Sequence, residues 1–180
     1  MSGESDLNNV SYVTLALIGE GGASPQDLVD MNRRGGQIFY AVAASRLYAE
    51  PKRLERLGYV VSRKQPGKTR EKTFYNLTER GLEALRRWAV EPPAPVRIQN
   101  EAIVKLISGD IAADDKGLAA AILTLREELD SQEEKLIEAR GGIEALPHRR
   151  RYLRLTNDLG MRLIEAQRGW LDDVERELAG

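Results

Sequence analysis

One short stretch of the sequence carries side chains that can recognise a polyanion. Four of its residues follow one another at intervals of four, three and four, which places them on one side of a helix. They are Ser45, Ala49, Lys52 and Arg56. Lysine and arginine can reach O6 and N7 of guanine or a phosphate group, and the sequence leaves open which of the two each would contact.

Neighbouring residues extend this pattern. Arg46, Tyr48 and Arg53 flank the outward row, and the hydroxyl of Tyr48 can donate to a phosphate, although part of its ring can also pack in a core. Basic residues continue beyond the helix. The candidate DNA-binding residues are Ser45, Arg46, Tyr48, Lys52, Arg53, Arg56, Lys68, Arg70 and Lys72.

The distribution of charge supports this interpretation. The chain has 27 Lys and Arg residues against 28 Asp and Glu residues. Residues 46–72, however, hold nine basic residues and three acidic ones, a local excess of six positive charges. Such a patch attracts a polyanion, because each neutralised phosphate releases counterions. The alternative is a solvated basic face that has no partner.

Composition excludes several classes of function. The chain has no cysteine and a single histidine, His148, so we expect no metal site, no cofactor and no enzyme. No apolar stretch approaches the roughly 20 residues that span a bilayer, and no basic-then-apolar leader opens the sequence. We therefore expect a soluble, cytoplasmic protein with no membrane contact.

Three helices are predicted before the basic stretch ends. The first covers residues 7–19, and the glycines after it read as a turn. Ser24 caps the second, which Gly35-Gly36 should end. Ser45 caps the third, which runs to Leu57 and closes at Gly58. Pro51 should kink this third helix or delay its regular part to about Ala49. Its inward row is Leu47, Pro51, Leu54 and Leu57 or Gly58.

Short extended segments follow. Residues 59–63 and 72–77 suit two strands, with Pro66-Gly67 as the turn between them. Thr78 caps the next helix. Three prolines in residues 92–95 form an extended connector. We therefore predict two domains, residues 1–91 and 92–180.

The second domain shows helical apolar stripes. A short helix is predicted over residues 98–108, followed by two long antiparallel helices that turn near Pro147-His148. Two such helices have too little surface to bury both stripes, so a second chain should cover them. The predicted dimerisation residues are Leu118, Ile122, Leu125, Leu129, Leu159, Leu163 and Trp170.

The predicted fold is mainly α-helical with a small β-hairpin. The order of elements is that of a winged helix-turn-helix domain: three helices, two strands around a basic turn and a further helix. A helical dimerisation domain comes after it. In winged domains the third helix enters the major groove and the hairpin contacts the flanking backbone.

Three segments resemble the core of PadR-type transcriptional regulators. They are Ser45-Arg46-Leu47-Tyr48, residues 52–60 and residues 70–81, of which Tyr75-Asn76-Leu77-Thr78-Glu79-Arg80-Gly81 fits the family pattern Tyr-x-Leu-Thr-x-x-Gly completely. The second half is similar to the long helical domain of the subgroup that contains virulence-gene regulators. Pro51 departs from the family, which more often has an aliphatic residue there.

This resemblance implies a homodimeric, ligand-responsive repressor or activator that binds a palindromic operator in double-stranded DNA, and we expect a repressor. By position, Tyr48, Lys68, Arg70 and Lys72 would contact DNA. Trp88 would line an effector cavity, or simply pack in the core or an interface. The competing hypothesis is a helical adaptor whose winged domain binds protein rather than DNA.

Overall fold

The structure is a computed structural model that describes residues 6–66, 71–112 and 114–179. The chain divides into two compact units, Met1–Ala94 and Pro95–Gly180. The architecture is mostly helical with one antiparallel hairpin, as the sequence predicts. None of the helices in the described ranges is long and apolar enough to cross a membrane.

The first two helices begin at well-formed caps. Helix α1 spans Asn9–Ile18, and helix α2 spans Pro25–Met31. At the start of α2, Ser24 and Asp27 accept hydrogen bonds from each other's backbone N–H, which satisfies two donors that a helix end leaves open.

Gly35-Gly36 does not end the second helix, and that prediction was wrong. The backbone continues through a π-helical turn at Asn32–Gly36 into helix α3, Gln37–Phe39. Glycine lowers helix stability by only about 1 kcal/mol and does not exclude helical dihedral angles. Beyond α3, the side-chain amide of Asn32 donates to the carbonyl of Val42 over 3.1 Å and holds the following loop against the turn.

Helix α4, Ala44–Arg56, corrects two predictions. Its N-cap is Ala43, which offers no side-chain hydrogen bond, so Ser45 is not the cap. The helix also begins at Ala44 and continues through Pro51. Pro51 lacks one N–H donor, but its ring is fully buried in the same row as Leu47 and Leu54, and this burial offsets the lost hydrogen bond.

The end of α4 forms the glycine cap that the sequence predicts. Gly58 adopts a φ of 78°, a left-handed conformation that glycine tolerates. The N–H of Gly58 donates to Glu55 and that of Tyr59 to Leu54, each over 2.9 Å, which is the Schellman arrangement. The cap turns the chain directly into the hairpin.

The hairpin pairs β1, Val60–Gln65, with β2, Lys72–Leu77, in a register that joins Val60 to Leu77 and Gln65 to Lys72. Strand β2 has the predicted bounds, whereas β1 is longer than predicted. Ala23 adds an isolated bridge to Tyr75 through two backbone hydrogen bonds of 3.0 and 2.9 Å. The segment before α2 is thereby fixed to the hairpin.

Helix α5, Glu79–Ala89, completes the first unit and begins at the predicted Thr78 cap. The unit has one apolar core to which α1, α2, α4, both strands and α5 contribute. Its most deeply buried members are Leu15, Ile18, Leu28, Leu47, Leu54 and Tyr75. Burial of this set fixes the orientation of α4, because its inward row cannot turn without exposing three core side chains.

The second unit contains five helices in its described part: α6, Glu101–Ile107; α7, Gly109–Ala112; α8, Asp115–Leu123; α9, Leu125–Ile143; and α10, Arg150–Leu178. The first of the two long helices is interrupted at Thr124, so α8 and α9 replace the single helix that was predicted. Helices α9 and α10 are antiparallel, since Arg126 pairs with Asp172 and Arg168 pairs with Asp130.

The two predicted stripes of this unit have different environments. Ile122 and Leu129 are buried inside the unit, where α8 and α9 contact α10. The prediction that these two residues form the dimer contact was therefore wrong, because they belong to the core of a single chain. Leu118, Leu125 and Trp170 are half-buried. Leu159 and Leu163 remain exposed on α10, with Tyr152 and Leu155 nearby on the same helix.

Candidate DNA-binding surface

The outward face of α4 carries three positively charged side chains. Arg46, Lys52 and Arg56 are all exposed, and so is Ser45. Within the described ranges, no hydrogen bond or ion pair engages the side chains of these three cations, so their charges are available to an external anion. The inward row described above faces the core, and this amphipathic division gives the cations their common direction.

The acidic residues of the same helix are withdrawn from this face. Glu50 is buried and accepts a hydrogen bond of 2.8 Å from the hydroxyl of Ser11 on α1. Glu55 accepts hydrogen bonds from the backbone N–H and the hydroxyl of Ser62, over 3.0 and 2.5 Å. Because both carboxylates are held by internal donors, they offset the outward cations less than their number implies.

Arg53 is a correction to the predicted site. It lies at the edge of the outward face, and its guanidinium turns inward to Glu50, with a shortest N–O distance of 2.8 Å. It also donates to the Ser11 hydroxyl over 2.8 Å and to the carbonyl of Asp6 over 2.9 Å. The hydrogen bond with Glu50 raises the pKa of Arg53, against a smaller opposing effect of burial. Arg53 therefore joins α4 to α1 instead of facing outward.

Tyr48 lies at the side of the cationic face. Its ring is 44% exposed, and its hydroxyl donates to Oε1 of Gln26 over 2.6 Å. Gln26 belongs to the first turn of α2. The pair places a phenol and an amide at neighbouring helix starts, where both can form hydrogen bonds with a phosphate. Gln26 was not among the residues predicted from the sequence, and its position two residues after the Ser24 cap was the available signal.

The hairpin contributes further cations. Arg63 donates to Oδ1 of Asn76 through Nε and Nη2, over 3.0 and 2.7 Å, and Nζ of Lys64 donates to the Thr73 hydroxyl over 3.1 Å. Lys72 is exposed at the start of β2. These bonds hold the basic groups above the strands. The predicted contacts Lys68 and Arg70, like Gly67 of the predicted turn, lie outside the described residues.

The start of α5 holds α4 and the hairpin together. The Thr78 hydroxyl accepts from the N–H of Gly81 over 3.1 Å and donates to the carbonyl of Gly58 over 2.7 Å. Arg80 donates to the carbonyl of Leu57 over 2.7 Å, and its guanidinium carbon lies 4.4 Å from the ring centroid of Tyr59. The Thr-x-x-Gly motif, predicted from the sequence as a helix cap and a family signature, therefore also positions α4 against the hairpin.

Most of these residues lie in a segment that matches a protein-family profile. Residues 28–87 match the profile described as the transcriptional regulator PadR-like family. Over these residues the chain is similar to the PadR-like family. The match includes the last four residues of α2, all of α4, the hairpin and most of α5, and α4 and the hairpin carry the cationic surface. The sequence matches no curated protein.

Solved structures similar to the whole chain extend the comparison beyond the PadR-like segment. Bacillus subtilis PadR in complex with operator DNA is 18% identical with a TM-score of 0.77, covering 96% of this chain and 98% of that one. The Vibrio cholerae virulence activator AphA is 20% identical with a TM-score of 0.71, covering 95% and 98%. Bacillus subtilis PadR in complex with p-coumaric acid is 16% identical with a TM-score of 0.61, covering 94% and 98%. At these identities the likeness establishes the fold.

Trp88 lies near the end of α5, one residue beyond the matched segment. Its ring stacks on that of Tyr12 in α1, with the centroids 4.6 Å apart and the planes inclined by 6°. The indole remains 38% exposed. The stacked pair ties α5 to α1 within the first unit, and one part of the indole is left open to solvent.

Proposed function

We propose that the chain is a homodimeric transcriptional repressor that binds a palindromic operator through α4 and the hairpin. The observation that carries the proposal is the outward row of Arg46, Lys52 and Arg56, together with the withdrawal of Glu50 and Glu55 from it. In a winged helix-turn-helix domain this helix enters the major groove, where arginine and lysine contact guanine or phosphate.

The fold-level comparison agrees with this proposal. Bacillus subtilis PadR, which has the same fold, is known in complex with operator DNA. We assign DNA binding to residues 1–91 and dimerisation to residues 92–180. Two copies related by a two-fold axis would present two α4 helices to two half-sites about one helical turn apart. For a regulator built from these two units, binding to the operator is by itself enough to alter transcription. This favours a repressor.

DNA binding is tested by charge reversal on α4. We expect Lys52→Glu to weaken binding to the DNA upstream of its own gene at least tenfold, because repulsion replaces an attractive contact. Neutralising one phosphate contact should also lower the slope of log K against log salt by about one. Fluorescence anisotropy at several salt concentrations measures both quantities, and footprinting shows whether the site is palindromic.

The matched control is Lys116→Glu, a charge reversal at an exposed lysine of the second unit. If the two variants bind DNA equally well, α4 is not the contact. If the parent dimer shows no salt-dependent affinity for DNA, the winged unit binds protein instead, and the helical adaptor becomes the better description.

We also propose a small-molecule effector near Trp88. The partly exposed indole stacked on Tyr12 offers an aromatic surface, and PadR of Bacillus subtilis binds p-coumaric acid. Titration with p-coumaric acid should quench Trp88 fluorescence in a Trp170→Phe background and release DNA. DNA release can also be measured without fluorescence from Trp88. If p-coumaric acid releases DNA from Trp88→Phe as readily as from the parent, Trp88 is not part of the effector site.

A further inference from the structure

The turn between α9 and α10 carries a cluster of arginines far along the sequence from the basic helix α4. Arg149, Arg150, Arg151 and Arg154 follow Pro147 and His148. Arg150, Arg151 and Arg154 line one open pocket together with Pro147 and Leu155. The pocket thus combines three guanidinium groups with two apolar side chains.

One carboxylate serves two of these arginines. Glu144 lies 3.2 Å from Nε of Arg150, and it accepts hydrogen bonds from Nε of Arg154, over 3.0 Å, and from Nη2 of Arg154. These contacts lower the pKa of Glu144, chiefly through the hydrogen bond from Arg154. Glu144 is therefore ionised at neutral pH and cancels one of three positive charges.

One arginine of the pocket is left without an internal partner. The side chain of Arg151 is exposed and has no hydrogen bond or ion pair within the described ranges. Nε of Arg150, in contrast, is cut off from solvent and lies against the Glu144 carboxylate at 3.2 Å, without hydrogen-bond geometry. The exposed guanidinium of Arg151 is therefore available to donate hydrogen bonds to an incoming anion.

This cluster lies at the start of α10, where acidic residues would be electrostatically favourable. Helices α5, α6 and α9 each have acidic residues in the first turn and basic residues in the last. Helix α10 has no acidic residue in its first turn and instead starts with Arg150 and Arg151. Positive charge at the positive end of a helix is unfavourable. Local departures from such rules concentrate at functional sites.

We propose that this pocket binds the phosphate group of a small molecule. Three guanidinium groups and one carboxylate leave a net charge of two, which a phosphate dianion matches better than a carboxylate. The planar guanidinium fork also fits phosphate through paired N–H···O bonds. Pro147 and Leu155 would contact an apolar part of the ligand. The proposal does not depend on DNA binding by α4, because every residue it uses lies in the second unit.

The test uses inorganic phosphate as the probe and the full chain as the protein. Isothermal titration at constant ionic strength, with sodium chloride replacing phosphate, should show saturable binding to the parent. Acetate at the same concentration should bind at least tenfold more weakly. Arg151→Gln should weaken phosphate binding about tenfold, since it removes a charged donor that no internal group uses.

The matched control is Arg162→Gln, which removes an exposed charge from α10 outside the pocket. It should bind phosphate like the parent, and circular dichroism should show that both variants are folded. Absence of saturable phosphate binding would overturn the proposal, as would an equal loss in the two variants. A parent that binds no phosphate, and whose affinity for a DNA duplex falls on Arg151→Gln, would identify a second DNA contact instead.

Discussion

Gly81 in the first turn of α5 lies against the backbone of Tyr59, where the chain leaves the cap of α4. A Cβ atom at position 81 would stand 2.0 Å from the carbonyl oxygen of Tyr59. The same carbonyl accepts a hydrogen bond of 3.1 Å from the N–H of Thr78. This close approach fixes the start of α5 to the junction between the proposed DNA-reading helix and the hairpin, so it sets their relative positions.

We predict that Gly81→Ala destabilises the first unit. The added methyl group meets backbone atoms that cannot move aside as a flexible side chain would, and forced overpacking of this kind costs about 1–3 kcal/mol or more. Urea unfolding followed by the fluorescence of Trp88, in a Trp170→Phe background, measures the free energy of unfolding of the unit that contains Gly81.

Gly141→Ala is the control for this substitution. No atom lies within 4 Å of a Cβ built at Gly141 in α9, so alanine should raise the stability of that helix by roughly 0.5–1 kcal/mol and leave the unfolding of the first unit, which Trp88 reports, unchanged. Equal stability of the parent and Gly81→Ala would show that the contact with Tyr59 relaxes freely and does not position α5.

Arg53→Gln should separate a structural role from a DNA contact. The substitution leaves the buried carboxylate of Glu50 without its guanidinium partner. Breaking a buried pair costs about 3–5 kcal/mol, and the 32% exposure of the Arg53 side chain reduces our expectation to roughly 2–3 kcal/mol. The salt slope of DNA binding should stay unchanged. A slope lowered by about one, with stability unaffected, would return Arg53 to the DNA-contact set.

Tyr48→Phe tests the phenol of the proposed interface. The lost hydrogen bond to Gln26 is exposed to solvent, so stability should change by less than about 0.5 kcal/mol. Loss of a phosphate contact by the hydroxyl should weaken operator binding about three- to tenfold. Anisotropy titrations of the parent, Tyr48→Phe and Gln26→Ala measure the effect. If Tyr48→Phe binds the operator as tightly as the parent, the hydroxyl makes no contact with DNA and its role is limited to the hydrogen bond with Gln26.

The sequence predicted the features of the first unit that depend on local signals. The Thr78 cap, the Gly58 cap and the β2 strand each follow from neighbouring residues, and the row of Leu47, Pro51 and Leu54 follows from helical spacing. Residue types within a few positions determine each of these features. They were therefore readable without knowledge of distant contacts.

Predictions that depended on distant partners were wrong. Arg53 has the spacing of a flanking surface residue, but Glu50 and Ser11 draw it inward, and Ser11 is 42 positions away along the chain. The break at Thr124 leaves the apolar spacing intact, so periodicity does not reveal it. Similarly, spacing shows that α10 has apolar residues on more than one side, but only the structure shows which row α8 and α9 cover.

The buried phenol of Tyr75 should make the first unit sensitive to alkali. Burial raises the pKa of Tyr75 above the ordinary 10.0, and the charge of Glu55 adds to the rise. Because the folded pKa exceeds the unfolded one, the stability contribution is complete below about pH 10 and is lost as the pH rises through the folded value. Urea unfolding across this range should show the decline. Tyr75→Phe should flatten it, whereas Tyr152→Phe, at an exposed tyrosine, should leave it unchanged.

The outward apolar row of α10 should decide whether the protein is a dimer. Leu159 and Leu163 are 50% and 38% exposed and lie one turn apart, so a second chain could bury both. Leu159→Glu would place a charge in that contact and should convert a dimer at micromolar concentration into a monomer in sedimentation velocity, because an unpaired buried charge is strongly unfavourable. Ile137→Glu, at an apolar residue of α9 that is 61% exposed, should leave the dimer intact. A parent that sediments as a monomer would remove the two-fold axis from which the palindromic operator follows, while leaving the contact of a single α4 with DNA open to the Lys52 test.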